Sequence, residues 1–242
     1  TPTPAISLPT PDQEKQLAQK KAAIATALEE VKKVAGEFTP ATPEPKDPAS
    51  LAPDELLHLS FDEEKATGPN KPVPGKVGQA LKLTGDDAVT TKVGDFPREQ
   101  PFTAALWLQT PDVKDRAVVF SRSKAWHDAA SRGYELLLLD NHLQWSLIHF
   151  WPGNAISIKT KKAVKPGEWV HVTVTNDGSS TAAGLQIFVN GRLAGIEIVR
   201  NKLTRQIKGG GNPHIHLGER MRDRGFKDGL VDEFQVFGSK LS

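Results

Sequence analysis

Trp126, His127, Arg132, Tyr134, His149 and Trp151 fall within one stretch of the chain, WHDAASRGYELLLLDNHLQWSLIHFW. Indole and phenol rings offer flat faces on which the C–H faces of a sugar ring stack, while Arg and His hydrogen-bond its hydroxyls. Trp107, Trp145 and Trp169 carry the same chemistry but sit at strand positions, where filling a core or a sheet face is the ordinary role. Trp126 and Trp151 border loops, where binding residues concentrate. A second group is basic. Residues 200–228 hold eight Lys and Arg, with Arg222 and Arg224 among them, against Glu219, Asp223 and Asp228. Guanidinium forks match carboxylate and sulfate geometry bidentately. This group reads either as a site for an anionic polysaccharide or as a solvated loop surface.

Other chemistry is excluded or thin. His214-Ile215-His216 puts two imidazoles on one strand face without an obvious third ligand, and a polar sheet face explains it equally well. The chain has no Gly-x-Ser-x-Gly elbow, no phosphate-binding Gly loop and no His-Glu-x-x-His, so no catalytic residue is assigned and an enzyme is not expected. It has no cysteine, which removes disulfides, thiolate metal sites and Cys nucleophiles. No basic groove is interleaved with stacking aromatics, so nucleic acid is not an expected partner. No apolar run approaches the roughly 20 residues that span a bilayer.

The elements that must position these groups follow from patterning. Thr10 is an N-cap, Pro11 the first helical residue and Gln13 a capping-box partner. Leu17, Ile24, Leu28, Val31 and Ala35 then form one apolar stripe that ends at Gly36. Residues 38–55 are a Pro-rich connector. Strands are predicted at 56–61, 79–83, 102–109, 117–121, 133–140, 142–150, 154–159, 168–176, 185–190, 193–198, 214–217 and 230–237, with 199–213 a long loop. In KPGEWVHVTVTNDG, Val170, Val172 and Val174 alternate with His171, Thr173 and Thr175, the period of a strand with two unlike faces. Asn190-Gly191 is a two-residue hairpin signal, and Asp140-Asn141 is another tight turn. The reading is an all-β, two-sheet antiparallel jelly-roll sandwich at 56–242, preceded by a helix and Pro-rich linker at 1–55.

The ordered pieces LLHLSFDE, GKVGQALKLTGDDAV, FTAALWLQT, GEWVHVTVTNDG, LQIFVNGRLAG, HIHLGER and FKDGLVDEFQVF resemble the laminin-G-like group of the concanavalin A-like lectin/glucanase jelly rolls. The glucanases of that superfamily carry paired acids, Glu-x-Asp-x-x-Glu or a close variant, on one strand; no strand here has that spacing. The resemblance implies that the first and last strands lie side by side, bringing Asp62 and Asp232 together. It further implies a structural Ca²⁺ there, an ion that takes six to eight oxygens. The other reading is that Asp232 and Glu233 only cap or charge an edge strand. The segment ISLPTPDQEKQLAQKKAAIATALEEV is similar to connectors in large exported bacterial proteins that also carry a cytochrome-c-like domain. That likeness, with a start at Thr1 rather than Met, implies a fragment of such a protein in a periplasmic or extracellular setting. The function expected is a non-catalytic module for a polysaccharide or glycan. The alternative is an interaction domain that positions other domains of its parent without binding sugar.

Overall fold

The structure is a computed structural model that describes residues 10–37, 54–62, 68–123, 132–209 and 213–241. The chain divides into two compact units, Thr1–Leu51 and Ala52–Ser242. Helix α1 spans Pro11–Glu37 in the first. It starts as its sequence requires: the Thr10 N–H donates to Gln13 Oε1 at 2.8 Å and the Gln13 N–H to Thr10 Oγ1 at 3.3 Å. This reciprocal pair satisfies two donors that the first turn would otherwise leave open. Asp12 and Glu14 sit in that turn, at the positive end of the helix dipole. Leu17, Ile24 and Leu28 are all exposed.

The second unit is a jelly-roll sandwich of antiparallel sheets, its strands numbered along the chain. One sheet holds β1 (Glu55–Leu59), β2 (Lys71–Pro74), β3 (Gln79–Lys82), β5 (Phe102–Gln109), β10 (Val170–Asn176), β11 (Leu185–Val189), β12 (Arg192–Leu193) and β15 (Leu230–Phe237). Its order is β12-β11-β10-β5-β15-β3-β2, with β1 also on β15. The facing sheet holds β4 (Val89–Thr90), β6 (Ala117–Ser123), β7 (Gly133–Leu139), β8 (His142–Phe150), β9 (Asn154–Thr160), β13 (Ile196–Lys202) and β14 (His216–Leu217). Its order is β13-β9-β8-β7-β6-β14-β4.

Period-2 patterning decides which face is inside. In β10, Val170, Val172 and Val174 are buried while His171 and Thr173 are only partly covered. Asn190 has φ 51 and Gly191 φ 74, the left-handed pair that a two-residue hairpin needs to match strand twist. Asp140 and Asn141, with φ 49 and 58, turn β7 into β8 in the same way. Between the sheets lies an aromatic cluster. The Phe102 ring centroid is 4.6 Å from Phe96, 4.9 Å from Tyr134 and 5.8 Å from Trp145, and Phe120 joins Trp145 to Phe234. Both polar handles in this cluster are satisfied, as burial demands: Trp145 Nε1 donates to Thr175 O at 3.1 Å and Tyr134 Oη to Gly94 O at 2.8 Å.

Three expectations are corrected. The segment 199–213 is not all loop, because β13 continues through Lys202, pairing Arg200, Asn201 and Lys202 with Ser157, Ile156 and Ala155. Strand β2 was not predicted, since Lys71-Pro72-Val73-Pro74 holds two prolines; an edge position tolerates them. The two-residue β4 is too short to carry a period.

This core makes two graded predictions. Trp145→Ala, which empties an indole-sized space, lowers unfolding stability by roughly 3–5 kcal/mol. Tyr134→Phe costs about 1 kcal/mol or less, because the Gly94 carbonyl keeps the Phe96 N–H at 2.9 Å. Urea unfolding midpoints measure both, and equal losses would contradict this account of the cluster.

Candidate functional site

The predicted aromatic and polar set separates in space. Residues Trp126 and His127 lie outside the described residues. Tyr134 is a correction: the alternation of β7 turns it inward, and at 0% exposure it belongs to the core and presents nothing to a ligand. His149 and Trp151 stand at the β8–β9 end of the sheet. Arg132 Nε donates to His149 O at 3.4 Å, His149 Nδ1 lies 2.7 Å from Gln206 O, and the Arg200 guanidinium sits 5.5 Å from the Trp151 ring centroid. In sequence Arg200 is one member of the basic run; its cation–π contact depends on the fold that brings it to Trp151.

A strap, residues 203–208, closes over that end and fixes it. Leu203 and Ile207 are buried, Asn154 bonds Thr204 and Arg205, and the buried Arg122 reaches Ile207 O at 3.0 Å and Asp95 Oδ1 at 2.6 Å. The result is a rim of half-covered indole, guanidinium and imidazole.

The basic cluster is corrected more severely. Arg220 is 3% exposed and pairs with Glu135 and Asp223; Asp223 also takes a two-pronged bond from Arg116 at 2.6 and 2.7 Å. Burial alone would raise the Asp223 carboxyl, but the hydrogen bonds from Arg116 and the charge of Arg220 outweigh it and hold the pKa at about 2. Glu135, the one acid of β7, is thereby engaged as an ion-pair partner. Arg224 pairs with Asp115 at 3.1 Å and Lys208 with Asp95 at 3.3 Å. Arg222 lies exposed on the turn after Arg220 with φ 63. Arg224 O accepts Val118 N and Asp115 O accepts Asp140 N, which puts Arg224 at the Asp140-Asn141 end of the β7–β8 hairpin. Trp151 follows the opposite end of β8, a nine-residue strand, so the two groups stand roughly 25 Å apart. They do not form one groove.

Asp62 and Asp232 do converge, on a single turn. Asp232 Oδ2 accepts the N–H groups of Lys76 at 2.8 Å and Val77 at 2.9 Å, and Asp62 Oδ1 accepts Gln79 N–H at 2.7 Å. The turn is Pro-Gly-Lys-Val-Gly for a steric reason. A Cβ on Gly75 would lie 2.6 Å from Asp232 Oδ2, and one on Gly78 would lie 2.1 Å from Asp62 Oδ1. Asp232 is 0% exposed and its second oxygen, Oδ1, is buried with no hydrogen-bond partner. Desolvation raises its pKa despite the two backbone donors. Among the described residues no group of three or more His, Asp or Glu stands ready to hold a metal, and His214 and His216 therefore gain no third ligand. Beside this turn, Lys76 Nζ lies 5.1 Å from the Trp107 ring centroid, and Trp107 meets His171 edge-on at 5.1 Å, so Trp107 covers the outer sheet face rather than the core.

Comparison with known proteins agrees with this architecture. A family model described as the concanavalin A-like lectin/glucanases superfamily, laminin G type, matches residues 83–242. The binding domain of Paraclostridial Mosquitocidal Protein 1 superposes with a TM-score of 0.60 at 16% identity, over 78% of this chain and 50% of that one. Domain 4 of AbnA, a GH43 extracellular arabinanase from Geobacillus stearothermophilus solved in complex with arabinotriose, gives 0.51 at 18% identity, over 78% and 94%. The Botulinum Neurotoxin serotype G binding domain gives 0.55 at 17% identity, over 78% and 49%. The chain thus spans about half the length of the two toxin domains, and likeness at these identities is likeness of fold. No curated protein sequence matches it.

The Asp223 network makes a pH prediction. A carboxyl whose folded pKa lies below its unfolded value stabilises fully above the unfolded pKa and loses that contribution as pH falls toward the folded one. Wild type should therefore lose roughly 2 kcal/mol between about pH 4 and pH 2 through this group. Asp223→Asn should be less stable by about 3 kcal/mol near neutrality and should lack that part of the acid slope. Chemical unfolding of both proteins across the acid range reads the difference directly.

Proposed function

This chain belongs to the concanavalin A-like lectin/glucanase superfamily, and on that premise we propose that it is a non-catalytic carbohydrate-binding module. The observation that carries the reading is the match to a domain of an extracellular arabinanase, 94% of whose length is covered and which was solved holding arabinotriose. The β8–β9 rim supports it with fitting chemistry: Trp151 brings a half-covered indole with Arg200 over its ring, while Arg132 and His149 supply polar groups alongside. Extended glycans suit a rim because hydroxyls and C–H faces can be met by separate side chains. The setting proposed is periplasmic or extracellular, within a longer exported protein.

A second reading, an interaction domain without a sugar site, draws on one observation. Leu17, Ile24 and Leu28 of α1 are 52%, 60% and 54% exposed. Such a stripe on one helix is suited to packing against another element.

Calcium is proposed at the Asp62/Asp232 turn. Asp232 Oδ1 is an acceptor-only oxygen with no donor, and a divalent cation answers it as well as a proton does. Two carboxylates are too few for this ion, so backbone carbonyls and water must complete its shell.

Two experiments follow. A polysaccharide pull-down on the chain should recover a glycan, and Trp151→Ala should weaken it by about 1 kcal/mol or more. Capture of none, at both low and physiological salt, would leave the interaction-domain reading in its place. Chelation with EDTA should lower the melting temperature and added Ca²⁺ restore it in proportion to the logarithm of its concentration. Asp232→Asn, which keeps an acceptor for Lys76 and Val77, should abolish the response. Because ionising Asp232 without a cation is costly, the calcium effect should be larger at pH 7 than below pH 4. An identical melting curve in calcium and in chelator removes the ion.

A further inference from the structure

With Arg220 buried and Arg224 paired, the 200–228 run keeps exposed cations such as Lys202, Arg205 and Lys227, but a set of three that lines one cleft lies elsewhere, at a corner of the sandwich. There the β9–β10 connector faces the β11–β12 hairpin across a cleft of about 490 Å³. That volume is within the range of small-ligand sites. Val164, Val170 and Val189 contribute aliphatic surface to its lining, and Leu193, 60% exposed, stands beside them. Lys161, Lys162 and Arg192 line it as exposed side chains with no carboxylate partner among the described residues. Lys165 and Glu168 line it too and pair with each other at 3.4 Å. Glu197 is bonded to Lys159 at 2.9 Å and feels Lys161 only as a charge at longer range.

The backbone under these cations is held. Lys161 N–H donates to Gly195 O at 2.8 Å, Val164 N–H donates to Asn141 O at 2.9 Å, and the buried Thr160 hydroxyl donates to Lys162 O at 2.9 Å. A preorganised turn spends less ordering entropy on a ligand than a loose loop would. Lysines at sheet edges also deter strand pairing, but Lys161 and Lys162 sit beyond the end of β9, on a turn that needs no such protection.

We infer that this cleft is the subsite for the charged part of an anionic saccharide, a sugar chain carrying carboxylate or sulfate. The inference rests on the carbohydrate reading and moves its anion recognition from the Arg222/Arg224 loop to Lys161, Lys162 and Arg192. The aliphatic lining takes a ring's C–H face; with no aromatic among its residues, selectivity there comes from charge.

Calorimetric titration of the full chain tests this with oligogalacturonate, a heparin-derived oligosaccharide and a neutral cello-oligosaccharide, each at low and physiological salt. One variant is Lys161→Gln/Lys162→Gln/Arg192→Gln; a charge-matched control replaces Lys15, Lys20 and Lys21 of α1 by Gln. The wild type should bind at least one anionic saccharide better than the neutral one, with affinity falling as salt rises. The cleft variant should lose about tenfold or more while melting normally, and the helix variant should bind as wild type does. The two anionic arms separate carboxylate from sulfate. Anionic binding that survives in the cleft variant, or neutral sugar bound equally well, overturns the inference and leaves the carbohydrate reading standing. No saccharide bound by the wild type overturns both.

Discussion

A strand has two edges, yet β15 has three partners, and the sandwich depends on how that is arranged. One edge pairs with β5 along most of its length. The other is shared: Leu230 and Val231 pair with β3, and Phe234 to Phe237 pair with β1. A bulge between Asp232 and Gln235, with Glu233 at φ 49, separates the two registers. In the gap between the end of β1 and the start of β3, the N–H groups of Lys76 and Val77 in the turn, and of Gln79 where β3 begins, have no strand of this edge to pair with. Carboxylates answer them, Asp232 from the bulge and Asp62 from just beyond β1. The N–H groups of Lys76, Val77 and Gln79 are satisfied, and one buried carboxylate oxygen, Asp232 Oδ1, is left without a hydrogen-bond donor. The most chemically distinctive point of the fold is thus a by-product of strand sharing.

Much of this was legible. Strands at 102–109, 142–150 and 230–237 are found at their predicted bounds because each is a run rich in strand-forming residues closed by a Pro or Gly turn signal. The α1 cap and both tight turns followed from local chemistry alone. What failed was whatever depends on distant partners. Tyr134 reads as a loop-edge aromatic until pairing with Leu147 and Arg122 fixes its face. Arg220 reads as surface charge until the fold delivers Glu135, Asp223 and Arg116 to it. Local sequence reports how many cations a segment has; only the fold reports which are already spent.

That distinction governs the electrostatics of the whole module. A formal charge of +2 hides two kinds of basic residue. Arg116, Arg122 and Arg220 are locked into carboxylates and act as cross-braces between strands and loops. Arg fits that role because its fork fixes geometry as well as charge. Lys161, Lys162 and Arg192 brace nothing, and their field is open to solvent.

The position of β15 also bears on how the sandwich is made. Every other strand precedes it in the chain, including β5 and β3, which it separates. During synthesis, β6 to β9 can zip together as neighbours, each hairpin local, while one edge of β5 waits for a partner more than a hundred residues downstream. Contacts of that separation fold slowly, and an apolar strand left waiting is open to mispairing. A chain built this way gains from keeping the open edge of β5 covered until its last strand arrives.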